Sequence, residues 1–152
     1  MRRFLVTMVV AALATLGFAG PVLAAKVQGA DHGGRPLRAT LTGAEEVPRP
    51  GDPDGTGTAL VTVNRGQREI CFELAVADID RATAAHIHVG EAGTAGPVVI
   101  GLTAPSDGFS SGCVDDVDLQ LIDAIRKNPA GFYVNVHNQA FPAGALRGQL
   151  AR

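Results

Sequence analysis

Apolar and polar residues alternate with the period of a β-strand along most of this chain. Leu37, Ala39 and Leu41 alternate with Arg38, Thr40 and Thr42, which predicts a half-buried strand. Residues 58–63 resume the pattern, and 69–76 repeat it with Ile70, Phe72, Leu74 and Val76 on one face. Between them Asn64-Arg65-Gly66-Gln67 predicts a hairpin turn, with Gly66 able to take positive φ. Further strands are predicted at 84–90, 97–102, 132–138 and 145–150, the last two joined by Phe141-Pro142-Ala143-Gly144. Residues 43–57 read as a long acidic loop broken by Pro48, Pro50 and Pro53, and 103–114 as a second loop.

Only one segment carries a helical period. Over 116–127, Leu119, Ile122 and Ile125 recur at helical spacing, with Leu121 widening the stripe. Asp115, Asp116 and Asp118 suit the positive end of the helix dipole and Arg126 and Lys127 its negative end, before Asn128-Pro129 stops the ladder. One short helix among about seven strands predicts an all-β, antiparallel β-sandwich, Greek-key/immunoglobulin-like or superoxide-dismutase-like, with a crossover helix at about 116–127.

The N-terminus changes the picture from a fold to an exported fold. Residues 1–24 have the three parts of a secretory signal peptide: Arg2 and Arg3, an apolar run from Phe4 to Phe18, and Val22-Leu23-Ala24 before a cleavage point after Ala24 or Ala25. Residues 25–36, small and polar with His32 among them, read as a flexible linker, leaving 37–152 as one domain. Nothing after the cleavage point is apolar enough to span a bilayer, so a secreted or periplasmic location is expected. Removal of Arg2 and Arg3 leaves 11 basic against 15 acidic residues, a net charge of −4. The basic residues are scattered, which argues against nucleic acid as a partner. Two cysteines, Cys71 and Cys113, fit a single disulfide in an oxidising compartment. With no CxxC, a zinc knuckle does not fit them, while a shared ligand role or two free thiols stay open.

Candidate chemistry is concentrated in histidines. His86 and His88 lie two apart in Ala84-Ala85-His86-Ile87-His88-Val89-Gly90, so a strand puts both imidazoles on one face. His137 shares a face with Tyr133 and Asn135 in the strand 132–138. If the two strands pair, His86, His88 and His137 form a three-histidine set that suits copper or zinc with one position open. The same imidazoles also fit a polar network that bonds to carbonyls, to Asn135 or to Glu91 and fixes loop geometry. Arg147 completes the set of candidates, with a bidentate pairing to Glu45 or Glu46 expected across the edges of the sandwich. The Gly90–Gly96 loop lacks the Lys-Ser/Thr of a phosphate loop. Ser106, Ser110 and Ser111 have no nucleophile-elbow context, so no catalytic residue is assigned.

The order of several short motifs carries a family resemblance. They are Leu41-Thr42-Gly43-Ala44-Glu45-Glu46-Val47-Pro48, Gly55-Thr56-Gly57, Cys71, His86-Ile87-His88-Val89-Gly90, Gly96-Pro97-Val98-Val99, Asn128-Pro129, Tyr133-Val134-Asn135-Val136-His137-Asn138 and Phe141-Pro142-Ala143-Gly144-Ala145-Leu146-Arg147-Gly148-Gln149-Leu150. Together they resemble the chordin-type (CHRD) domain over residues 37–150. The resemblance implies an extracellular or exported domain and gives no position a catalytic role. The growth-factor antagonism of chordin does not transfer, because its cysteine-rich modules are missing here. Leu146 stands where the family pattern favours Ile, a swap that keeps a core aliphatic. The expected function is a non-enzymatic binding or structural accessory module, its partner an extracellular or cell-envelope protein or glycan. Metal handling or redox chemistry through the three histidines is the alternative.

Overall fold

A computed structural model describes residues 34–152. The expected signal peptide 1–24, His32 and most of the expected linker lie outside the described residues. Eight strands form among the described residues: β1 (Arg35–Thr42), β2 (Thr56–Asn64), β3 (Glu69–Ala77), β4 (Ala82–Val89), β5 (Val98–Leu102), β6 (Phe109–Val114), β7 (Phe132–Asn138) and β8 (Leu146–Gln149). All pairings are antiparallel, in the order β5-β4-β7-β8-β1-β2-β3-β6. The two edge strands, β5 and β6, approach each other. The expected all-β architecture therefore takes the shape of one sheet curled nearly closed, a sandwich-like barrel.

The inward-facing alternation matches the sequence pattern. Leu37 and Leu41 of β1, Val61 and Val63 of β2, Ile70, Phe72 and Leu74 of β3, and Val134 and Val136 of β7 are buried in one core. The helix, α1 (Leu119–Lys127), links β6 to β7 and closes the core with Ile122 and Ile125. It starts three residues later than the acidic run suggested. Asp118 is its cap, accepting hydrogen bonds from the backbone N–H of Gln120 at 2.6 Å and of Leu121 at 3.2 Å.

Four local expectations are corrected. β1 begins at Arg35, inside the expected linker, because Arg35 and Pro36 pair with Val63 and Thr62. Pro36 fits there because β8 pairs with β1 only at Thr42, so the missing N–H faces no ladder. In the β2–β3 turn the positive φ falls on Arg68 (54°) rather than Gly66. Residues 109–114, expected as loop, are the edge strand β6. Its one buried side chain is Ser110, so hydrophobic alternation could not reveal it. Cys71 and Cys113 are disulfide-bonded as direct cross-strand partners of β3 and β6. The bridge therefore joins two strands rather than pinning a loop, and Cys71 is buried.

Two irregularities aim β4. Its register against β7 shifts between Ala82 and Ala84, and its register against β5 shifts between Ile87 and His88. Ala82, Ala85 and Ile87 are all buried, which a strictly alternating strand forbids. The extra residue, Thr83, changes the phase and leaves His86 and His88 together on the outer face.

Candidate functional site: a histidine face under a glycine-rich loop

β4, β7 and β8 are neighbours, and their register builds the site. His86 stands opposite Asn135, which stands opposite Arg147. His88 stands opposite Tyr133, which stands opposite Gln149, and His137 pairs with Ala84. The sequence-predicted candidates His86, His88, His137, Tyr133, Asn135 and Arg147 therefore share one polar face.

The glycine-rich loop 90–97 is fastened onto this face by its backbone. Arg147, 1% exposed, donates through Nη2 to the carbonyls of Glu91 (2.9 Å) and Thr94 (3.0 Å) and to Gln149 Oε1 (3.1 Å). Its guanidinium carbon lies 3.5 Å from the centre of the Tyr133 ring, which His88 from β4 stacks against at 4.8 Å. The Tyr133 hydroxyl accepts from Gly96 N–H at 3.2 Å. Gln149 Nε2 donates to the carbonyl of Gly90 at 3.0 Å. A Cβ on Gly96 would sit 1.7 Å from the Val89 carbonyl oxygen, so only glycine allows this approach.

The pairing of Arg147 with Glu45 or Glu46 does not form as expected, because loop carbonyls take the guanidinium. Glu45 is exposed. Glu46 is buried and accepts a hydrogen bond from Asn135 Nδ2 at 2.5 Å. Burial pushes the Glu46 carboxyl from 4.5 up to about 7, outweighing the attraction of Arg147 and a hydrogen bond from Val47 N–H. One edge of Glu46 borders a cleft of about 460 Å³ lined also by Val47, Pro48, Pro50, Phe141 and Pro142.

A stability test follows from that carboxyl. With its pKa raised on folding, Glu46 leaves stability intact below about pH 4.5, where both states are protonated. Stability is lost as the pH rises to about 7, because the unfolded chain ionises more easily. Glu46→Gln is expected to match the parent at pH 4 and to exceed it by about 3 kcal/mol at pH 8. Urea denaturation of both proteins at the two pH values measures this. An unchanged difference between them would show that the carboxyl ionises as freely in the folded state.

Of the partners expected for a polar network, two imidazoles take backbone carbonyls. Their partners are not Asn135 or Glu91. His88 Nδ1 lies 2.9 Å from the Gly96 carbonyl, and His137 Nδ1 lies 3.1 Å from the Pro142 carbonyl. A carbonyl only accepts, so each Nδ1 carries the proton and each Nε2 presents a lone pair. His137 Nε2 is 3.2 Å from His86 Nδ1. His88 Nε2 is buried without a hydrogen-bond partner. One nitrogen from each of the three rings lies within 4.8 Å of the others. Burial, then the neighbouring His137 and His88, hold the His86 pKa below its ordinary value. Burial also lowers that of His137, against the opposing bond to Pro142.

Two residues of the site escaped the sequence reading. Gln149 looked like one more polar residue of a terminal strand, and Gly96 like one glycine among several. The outward phase of Gln149, two residues from Arg147, was the available signal. Ser110, weighed as a nucleophile, donates to the Thr103 carbonyl at 2.7 Å and holds a loop.

Fold and site together define a disulfide-bridged, all-β module that offers a shared polar face. Residues 37–150 match the model of the CHRD domain, and the chain belongs to the CHRD domain family. No curated protein and no solved structure matches the chain.

Proposed function

We propose that this CHRD domain is an exported, non-catalytic module that works by binding. One observation carries the reading: Arg147 and Gln149 on the polar face donate chiefly to the protein's own backbone. Arg147 and Gln149 hold the loop 90–97 through main-chain carbonyls, so neither is aimed at a substrate. The face is thus a rigid display surface, with the loop side chains 91–95 exposed above it. A protein or glycan outside the cytoplasm is the partner class, and a mildly acidic surface does not suit nucleic acid. The disulfide supports an oxidising location, as does the signal-like segment 1–24.

Fractionation of the producing cell and N-terminal sequencing test export. A chain starting at Ala25 or Lys26 in the extracytoplasmic fraction is expected. An intact Met1 terminus on cytoplasmic protein would overturn it. Incubation of the folded protein with cell-envelope extract, with and without calcium, tests binding. A defined co-purifying protein or glycan is expected, and a protein that stays alone in both conditions counts against the reading.

A further inference from the structure

We infer that His86, His88 and His137 form a mononuclear site for a late first-row transition metal ion, copper or zinc. The inference rests on reading the domain as a binding module and names a ligand for it. Three features point the same way. A tetrahedral ion bound at about 2.05 Å by imidazole nitrogens places those nitrogens about 3.3 Å apart. His86 Nδ1 and His137 Nε2 stand at 3.2 Å, and all three rings offer a nitrogen within 4.8 Å of the others. Small ring rotations close the remaining gap.

The second feature is the set of carbonyls behind the rings. Metal-binding histidines generally donate their other N–H to a carbonyl or carboxylate, which fixes the tautomer and the ring plane. His88 does so to Gly96 and His137 to Pro142. The third feature is the buried Nε2 of His88, which has no hydrogen-bond partner and would otherwise be an uncompensated acceptor. An ion bonded to that atom removes the deficit.

The donor set selects the metal class. Neutral imidazoles favour copper and zinc over magnesium and calcium, which prefer oxygen. Three protein ligands leave a fourth position for water or for a partner's side chain. Among the described residues the other group with ligand spacing is Glu69, Cys71 and Cys113, whose sulfurs are already joined in the disulfide.

The test separates ligand from scaffold atom by atom. His88→Asn and His137→Asn each place an amide donor near the carbonyl that Nδ1 now serves and remove Nε2. Metal-free protein is titrated with Zn²⁺ and with Cu²⁺ against a competing chelator, and the melting temperature of each metal-free form is recorded. One equivalent of metal is expected for the parent, with affinity at least 100-fold weaker in each variant and melting temperatures close to the parent's. Less than about 0.1 equivalent bound by the parent would overturn the site. So would binding that the variants retain, which marks adventitious surface coordination. A fall in metal-free melting temperature without any metal bound to the parent assigns the imidazoles to scaffold alone. Capture of an envelope component by a parent that binds no metal would remove the metal site and leave the binding module standing.

Discussion

Arg147→Met lowers the free energy of unfolding by about 4 kcal/mol, read as a shift in the urea midpoint with little change in slope. Met keeps much of the side-chain volume and none of the donors. The carbonyls of Glu91 and Thr94 lose their charge-assisted hydrogen bonds, and the fastening of the glycine-rich loop goes with them. Each hydrogen bond from the charged guanidinium is worth about 1.5–3 kcal/mol, and the Glu91 carbonyl keeps the Thr94 N–H as a donor. The cation over Tyr133 adds about 1–2 kcal/mol in a desolvated setting. Apolar contacts of the new side chain offset part of the total. The damage is local, so hydrogen exchange at the Thr94 and Gly96 amides rises well before the core opens. A loss below about 1 kcal/mol would mean that the loop holds its shape without the guanidinium.

Removing the disulfide has an effect of similar size by a different route. Cys71 and Cys113 are 42 positions apart in sequence and directly opposite in β3 and β6. Replacing both with Ala frees a long loop in the unfolded chain, worth about 4 kcal/mol in the chain-entropy account. The folded state changes little, because β3 and β6 keep their ladder from Ile70↔Val114 to Ala75↔Phe109. Urea denaturation of Cys71→Ala/Cys113→Ala against the oxidised parent is expected to show the loss together with a steeper slope, since the unfolded chain exposes more surface. An unchanged slope with full loss of stability would place the effect in the native packing.

The alternating segments of this chain were legible because one face of each strand is buried. Ile70, Phe72 and Leu74 set the phase of β3, and Val134 and Val136 that of β7. The common face of His86, His88 and His137 followed from the same arithmetic once β4 and β7 were neighbours. β6 was illegible for the opposite reason: it is an edge strand whose position is set by backbone pairing and a disulfide. Arg147 was read as a structural anchor, but its partners were not legible. Charge complementarity pointed to glutamates, whereas the guanidinium bonds main-chain oxygens that no residue letter advertises. The tautomers of His88 and His137 were hidden in the same way, being set by the carbonyls of Gly96 and Pro142.

The loop 90–97 is gripped only where every polypeptide is alike. Arg147, Gln149, Tyr133 and His88 reach its amide and carbonyl groups, while the side chains of Glu91, Ala92, Thr94 and Ala95 face outward. Gly90, where a Cβ would lie 2.9 Å from the Thr94 carbonyl oxygen, Gly93, at φ 76°, and the crowded Gly96 are the positions whose identity the shape requires. The rest of the tip is a replaceable cassette: new side chains could be written there, altering what the domain recognises while the barrel beneath stays as it is.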